Sequence, residues 1–283
     1  YFSLVFYDRE HDLDPTPALD KALAAAHNGI AHSPQNPFFH DAAATVLIFQ
    51  ARELLTGGGD ATRLLGMAQA YLQKAIELNP NIARHFNDRG GLGLVQCHQR
   101  ILRGLDCEAT LSEIIADFKR ARQLSPRVFA ANELLLNGLA RYAEYRLRQG
   151  ASPRPLLREA QSWVFEAQRL GVSNAIAHQS LGALFLTNAE YALGHREKAE
   201  AELAGTEAEL TEALRLNADA APTYVSLSQL YRLRARLVRA QGQPSAELLS
   251  QALAAADRSL RINPADAGAR RERALVLEAQ AAR

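Results

Sequence analysis

One phrase of six residues returns along this chain at a fixed interval. Ala75-Ile76-Glu77-Leu78-Asn79-Pro80 is answered by Ala121-Arg122-Gln123-Leu124-Ser125-Pro126 and then by Ala167-Gln168-Arg169-Leu170-Gly171-Val172. Ala213-Leu214-Arg215-Leu216-Asn217-Ala218 and Ser259-Leu260-Arg261-Ile262-Asn263-Pro264 follow, each 46 residues after the last. A fainter copy, Gly29-Ile30-Ala31-His32-Ser33-Pro34, stands one step earlier. Three more columns keep the same register. They are Leu19, Leu65, Leu111, Leu157, Leu203 and Leu249; Ala22, Ala68, Ile114, Ala160, Thr206 and Ala252; and Gly58, Gly104, Gly150 and Gly242, with Arg196 at the fourth place of the glycine column. A strict period of this length means that one supersecondary unit is stacked repeatedly, so one continuous array is expected over the 283 residues in place of two compact domains.

Each unit reads as two helices. In Thr110–Leu124, apolar Leu111, Ile114, Ile115, Phe118, Ala121 and Leu124 share one face of a 3.6-residue helix, with charged Glu113, Asp117, Lys119, Arg120 and Arg122 on the others. Ser125-Pro126 stops it, because proline disfavours helix in the residue before it. A longer helix follows from about Phe129 to Gln149 and ends at Gly150, a C-terminal cap. The period then predicts short helices starting near 15, 61, 107, 153, 199 and 245. It predicts long helices near 37–56, 83–103, 129–149, 175–193, 221–241 and 267–282, in a single array over 1–283. Composition agrees: 52 Ala and 43 Leu make about a third of the chain, both are strong helix formers, and aromatics are only 7%.

The columns resemble the tetratricopeptide repeat, whose pattern is W-x2-L-G-x2-Y followed by A-x3-F-x2-A-x4-P. His178-x2-Leu181-Gly182-x2-Phe185 matches the first half with His for Trp, and Tyr224-x2-Leu227-Ser228-x2-Tyr231 matches with Ser for Gly. Ala68-x3-Leu72-x2-Ala75-x4-Pro80 and Ile114-x3-Phe118-x2-Ala121-x4-Pro126 match the second half. The match is weaker at Phe86-x2-Arg89-Gly90 and Arg270-x2-Arg273-Ala274. The family unit has 34 residues and this one has 46, the extra 12 lying between the two halves, so both helices are expected to be longer. The resemblance implies an all-α superhelical solenoid of about twelve helices in antiparallel pairs. Long repeats rich in Ala, Leu and Arg, here with 28 Arg against 4 Lys, also resemble the arrays that follow the kinase domain in some large bacterial serine/threonine kinases. The kinase motifs themselves are absent.

In the family, a concave surface lined by the first helix of each pair does the binding. Carried onto this register, its exposed positions are Asp41, Asn87, Glu133, Gln179, Val225 and Arg271. One turn on come Thr45, Gly91, Asn137, Ala183, Gln229 and Leu275, and after them Ile48, Leu94, Ala140, Leu186, Arg232 and Glu278. Asn87, Glu133, Asn137, Gln179 and Gln229 form a polar ladder whose amides can both donate to and accept from an extended peptide backbone. The lysine- and asparagine-rich carboxylate clamp of chaperone-binding members is not reproduced. Arg232, Arg236 and Arg239 share roughly one helix face and suggest an acidic partner. Residues 1–33 are acidic, carrying Asp8, Glu10, Asp12, Asp14 and Asp20 against Arg9 and Lys21.

Other classes find little support. With 32 basic and 31 acidic residues the net charge is +1, which gives no general footprint for nucleic acid. No apolar run approaches the roughly 18–20 residues that span a bilayer. The eight histidines make no H-E-x-x-H, and Cys97-His98 with Cys107 and His85 lacks a metal-ligand spacing. Gly57-Gly58-Gly59 has no following Lys-Ser/Thr and reads as a turn, and no Ser/His/Asp constellation stands out. Neither a metal nor a cofactor is expected, and catalysis is not. Cys97 and Cys107 read as two reduced thiols of a cytoplasmic protein; the alternative, a single bridge, has no support in the sequence. The register further predicts that Tyr1–Glu10, aligned with Leu47–Thr56, is the truncated end of a preceding long helix, and that Phe2, Val5 and Phe6 are covered in the full protein. The expected function is a non-catalytic scaffold that binds a peptide or partner domain in its groove, as the recruiting region of a larger bacterial signalling protein such as a Ser/Thr kinase. The alternative is a structural spacer or self-assembly array.

Overall fold

The computed structural model describes residues 14–126 and 129–281; the acidic and apolar side chains discussed above at positions 2–12 lie outside them. Among the described residues there are twelve α-helices and no strand. The short helices are α1 (Thr16–His32), α3 (Thr62–Leu78), α5 (Glu108–Leu124), α7 (Arg154–Arg169), α9 (Glu200–Leu216) and α11 (Ala246–Ile262). They alternate with the long helices α2 (Pro37–Thr56), α4 (Ala83–Leu102), α6 (Phe129–Arg148), α8 (Ala175–Gly194), α10 (Ala221–Ala240) and α12 (Ala267–Ala281). The chain divides into two compact units, one ending at Leu135 and the other beginning at Leu136.

Short polar devices set the helix ends. Asp14, Asp60 and Asp106 each accept the backbone N–H two residues on, opening α1, α3 and α5 and satisfying a donor that the first turn leaves orphaned. Hydrogen bonds from Thr16 and Thr62 hold the Asp14 and Asp60 carboxyls below the usual carboxylate range. After the short helices, Asn79, Asn217 and Asn263 accept from the N–H two residues later and form the turn into the next long helix. Every long helix from α2 to α10 ends two residues before a left-handed residue: Gly58, Gly104, Gly150, Arg196 and Gly242, with φ between +58° and +78°. Only Arg196 carries a Cβ there, which the left-handed region disfavours.

Packing follows the columns. All six leucines of the Leu19 to Leu249 column are buried, as are all six residues of the Ala22 to Ala252 column. The core is a series of local clusters. One in the first unit holds Leu47, Ala51, Leu65, Ala68, Leu72 and Leu92, and one in the second holds Leu186, Ala189, Leu203, Leu230 and Leu233. Close approach of the paired helices needs small residues. A Cβ on Gly90 would stand 2.9 Å from Phe118, and one on Gly182 would stand 2.7 Å from Leu210.

The column where the family pattern has Trp shows what replaces an indole here. His40 donates from Nε2 to the Pro34 carbonyl at 2.8 Å, Tyr224 from its hydroxyl to the Ala218 carbonyl at 3.0 Å, and Arg270 to the Pro264 carbonyl at 2.9 Å. Three different side chains at one register thus tie α2, α10 and α12 to the turn six residues behind each. Arg270, a poor match to the pattern, does the same work as His40.

Cys97, in the last turns of α4, and Cys107, one residue before α5, form a disulfide. The expectation of two reduced thiols is therefore corrected. The turn between the helices passes through left-handed Gly104 and brings the two Cα atoms to 5.3 Å, inside the range a bridge requires. The sequence spacing gave no sign of this, because the turn geometry creates the proximity.

Candidate binding faces of the long helices

Neighbouring long helices touch along their lengths: α2 meets α4, α8 meets α10 and α10 meets α12. That contact decides the state of the predicted groove residues. In the first unit, Asp41 is 1% exposed, with Oδ2 2.8 Å from Arg84 Nε and Oδ1 3.1 Å from His85 Nδ1, and His85 is itself fully buried. Thr45, one turn on, donates to Asp88 Oδ2 at 3.2 Å. Asn87 donates to Asp88 Oδ1 at 3.2 Å and is buried. Burial, and then the Asp41 charge, push the Asp88 carboxyl above the usual range, while Arg84 pulls it back. The expectation that Asp41 and Asn87 stand exposed is corrected: both are buried, and Asp41 ties α2 to α4 through Arg84 and His85, whereas Asn87 bonds only Asp88 on its own helix. Ile48, Ala140 and Leu186 are buried as well, so the third turn of these helices is core.

The second unit is different. Asn137 on α6 is exposed, Gln179 on α8 and Gln229 on α10 are half-buried, and none of the three has a hydrogen-bond partner among the described residues. Glu133 lies half-buried on α6, within the first unit, and has interactions of its own. The arginine face is divided. Arg232 makes a two-pronged bond to the buried Glu272 at 2.6 and 3.2 Å. Arg239 donates to the Ala279 carbonyl at 3.0 Å and to Ser245. Arg236 is exposed and faces Glu190 without a salt bridge. Burial raises the Glu190 carboxyl, Arg232 and Arg236 oppose that, and Glu272 and Glu144 add to it. Of three arginines aligned in sequence, two hold α10 to α11 and α12, and Arg236 makes no ion pair among the described residues.

A hydrogen-bonded Ser–His–acid chain also exists, which sequence reading missed. His178 Nε2 lies 2.8 Å from Ser173 Oγ, and Nδ1 lies 2.7 Å from Glu209 Oε2. His178 occupies the register of His40, Tyr224 and Arg270 and bonds the same turn, through a hydroxyl instead of a carbonyl. Its role is accounted for as that of the other three. Among the described residues no group of three or more His, Cys, Asp or Glu could hold a metal ion, and no helix is long and apolar enough to cross a membrane.

Comparison with known proteins identifies the fold and nothing finer. A thermophilic tetratricopeptide-repeat protein of Thermus thermophilus, TTC0263, matches with a TM-score of 0.50 and 22% identity, over 83% of this chain and all of that one. Human IFIT1, solved as a dimer with m7Gppp-AAAA, matches with a TM-score of 0.51 and 13% identity, over 98% of this chain and 55% of that one. No family model matches the chain, and no curated protein matches it. The likeness shows a tetratricopeptide-like α-solenoid fold.

Proposed function

We propose that this chain is a non-catalytic protein-interaction scaffold that binds a peptide or a partner domain in a groove lined by its long helices. One observation carries the reading: Asn137, Gln179 and Gln229 project from successive long helices of the second unit with no protein partner among the described residues. Unpaired primary amides can donate and accept together, as an extended backbone requires. Arg236, about two turns further along α10 than Gln229, supplies an exposed guanidinium for an acidic side chain. The near-neutral charge speaks for a protein partner over nucleic acid. No metal or cofactor is needed for such binding.

Panning displayed random twelve-residue peptides against the protein tests this reading. Peptides that bind in the groove should bind the Asn137→Ala/Gln179→Ala/Gln229→Ala variant at least about tenfold more weakly, since each lost hydrogen bond is worth about 0.5–1.5 kcal/mol. If none of the recovered peptides distinguishes the two proteins, the groove reading fails. Concentration-dependent oligomers in sedimentation would then favour the spacer or self-assembly role.

The proposed parent context is the recruiting region of a bacterial signalling protein such as a Ser/Thr kinase. It rests on the Ala-, Leu- and Arg-rich composition. A kinase domain in the same reading frame would support it. A cytoplasmic location belongs with that context, but the Cys97–Cys107 bridge weighs against it, since such bonds persist in oxidising surroundings and are reduced in a cytosol. Differential alkylation of freshly lysed cells reads out which state the protein holds.

A further inference from the structure

The first unit has an opening on the other face of α4. By helical register, Arg89, Leu92, Gly93 and Gln96 lie on the side of α4 opposite Asn87, Gly91 and Leu94. They floor a cleft of about 740 Å³ walled by α3 and α5. Its origin is readable in the columns. The register of Gly93 holds Leu47, Leu139, Phe185, Tyr231 and Leu277 elsewhere, and is the Tyr position of the repeat pattern. Gly93 is the one place where that side chain is missing. The facing column is alanine or threonine except at Ile114, whose Cγ1 would lie 2.5 Å from a Cβ at 93. Bulk has moved from the long helix to the short one, and Gly93 leaves bare backbone on the floor of the cleft.

What lines the opening is polar and uncommitted. Gln96 donates to Gln69 Oε1 at 3.2 Å, leaving the Gln69 amide nitrogen and the Gln96 carbonyl oxygen without a protein partner among the described residues. Arg89 and Asp117 form a two-pronged ion pair at 2.5 and 2.8 Å. Glu113 is exposed beside them, and its charge acts on Arg89. The lining therefore carries a net negative charge. The second unit fills these registers with its own residues, and the opening left there beside Arg234 and Leu248 is about half as large, about 370 Å³. At the registers of Gly93, Gln96 and Gln69 it has Tyr231, Arg234 and Glu207, and Arg234 donates to Glu207 at 2.8 Å.

We propose that the cleft over α4 is a second binding site, which takes an extended polypeptide segment bearing a basic side chain. The amides of Gln69 and Gln96 meet the backbone, and the Lys or Arg of the partner pairs with Glu113 on the α5 wall. The site rests on the chemistry of this face alone and does not depend on the groove proposed above.

Gly66 gives a clean test, because a Cβ there meets nothing within 4 Å. Gly66→Trp should plug the cleft without disturbing the fold, which a thermal melt verifies. As a second closure, Gln69→Glu/Gln96→Arg copies the bond of the second unit. Displayed random twelve-residue peptides panned on the wild type should yield a class rich in Lys or Arg. That class should bind both closed variants at least tenfold more weakly, bind Glu113→Gln several-fold more weakly with a shallower salt dependence, and be unaffected by Gln179→Ala. Peptides that ignore both closures, or that lose binding only with Gln179→Ala, overturn the cleft and leave the groove standing. Peptides that respond to the closures alone support the cleft whatever becomes of the groove.

Discussion

The two units use one register for opposite ends. In the first, charged residues of the long helices are locked together, with Asp41 against Arg84 and His85 and Thr45 against Asp88, while the outer face of α4 stays open around Gly93. In the second, Tyr231 and the Arg234–Glu207 bond narrow the outer face, and Asn137, Gln179 and Gln229 remain unpartnered on the long helices, among the described residues. The backbone is set by the columns both units share. The residues between the columns decide which face is sealed and which is left for something else.

The comparison can be broken hardest at a shared column. Leu157 is buried on α7 as its counterparts are on the other short helices. Leu157→Asp should cost roughly 3–5 kcal/mol, from lost packing and a carboxylate without a partner. A denaturant titration with an unchanged midpoint would refute the claim that the column carries the packing. Next in size is Gly93→Tyr, which places the residue of the second unit in the first. It should cost about 1–3 kcal/mol by overpacking against Ile114, and Ile114→Ala in the same chain should recover most of that. Additive losses in that double-mutant cycle would mean the two columns do not compensate.

A smaller effect tests the α2–α4 seam. Burial and the Asp41 charge raise the folded-state pKa of Asp88 above its unfolded value. The contribution of this group is therefore fully present below the unfolded pKa and is lost as pH rises through the folded one. Asp88→Asn removes the titration, so its melting temperature relative to wild type should improve from pH 4 to pH 7.5. A constant difference would contradict the raised pKa. Smallest is Arg196→Gly, which should stabilise by about 0.5–1 kcal/mol by relieving a left-handed residue with a Cβ. A lower melting temperature in the variant would show that the Arg196 side chain makes contacts worth more than that strain.

Much of the fold could be read from the sequence because the information was periodic. Buried Leu19 to Leu249, small Ala68 and Ala160, and the left-handed glycines each repeat a local requirement that the residue type expresses directly. Arg270 could be placed in the right column, though its bond to the Pro264 carbonyl could not be foreseen from a pattern that asks for Trp. The sites were less legible because they depend on the neighbouring helix. Asp41 has the polarity of an exposed groove residue and is buried only because α4 lies against α2. Arg232 reads as a free cation until Glu272, 40 residues away, meets it. Ile114 was visible as the odd member of its column. Its compensation at Gly93 becomes visible only when two columns are read as one contact across a helix pair.

The core has a mechanical corollary. Buried residues gather in separate parcels, such as Leu47 with Leu65 and Leu72, or Ala235 with Leu249 and Val276. A molecule tied together by neighbours alone has no single plane on which to fracture. Under a slow pull, each helix pair should yield in its turn at modest force, giving a run of short extensions. The disulfide between Cys97 and Cys107 should subtract only the slack of its own small loop.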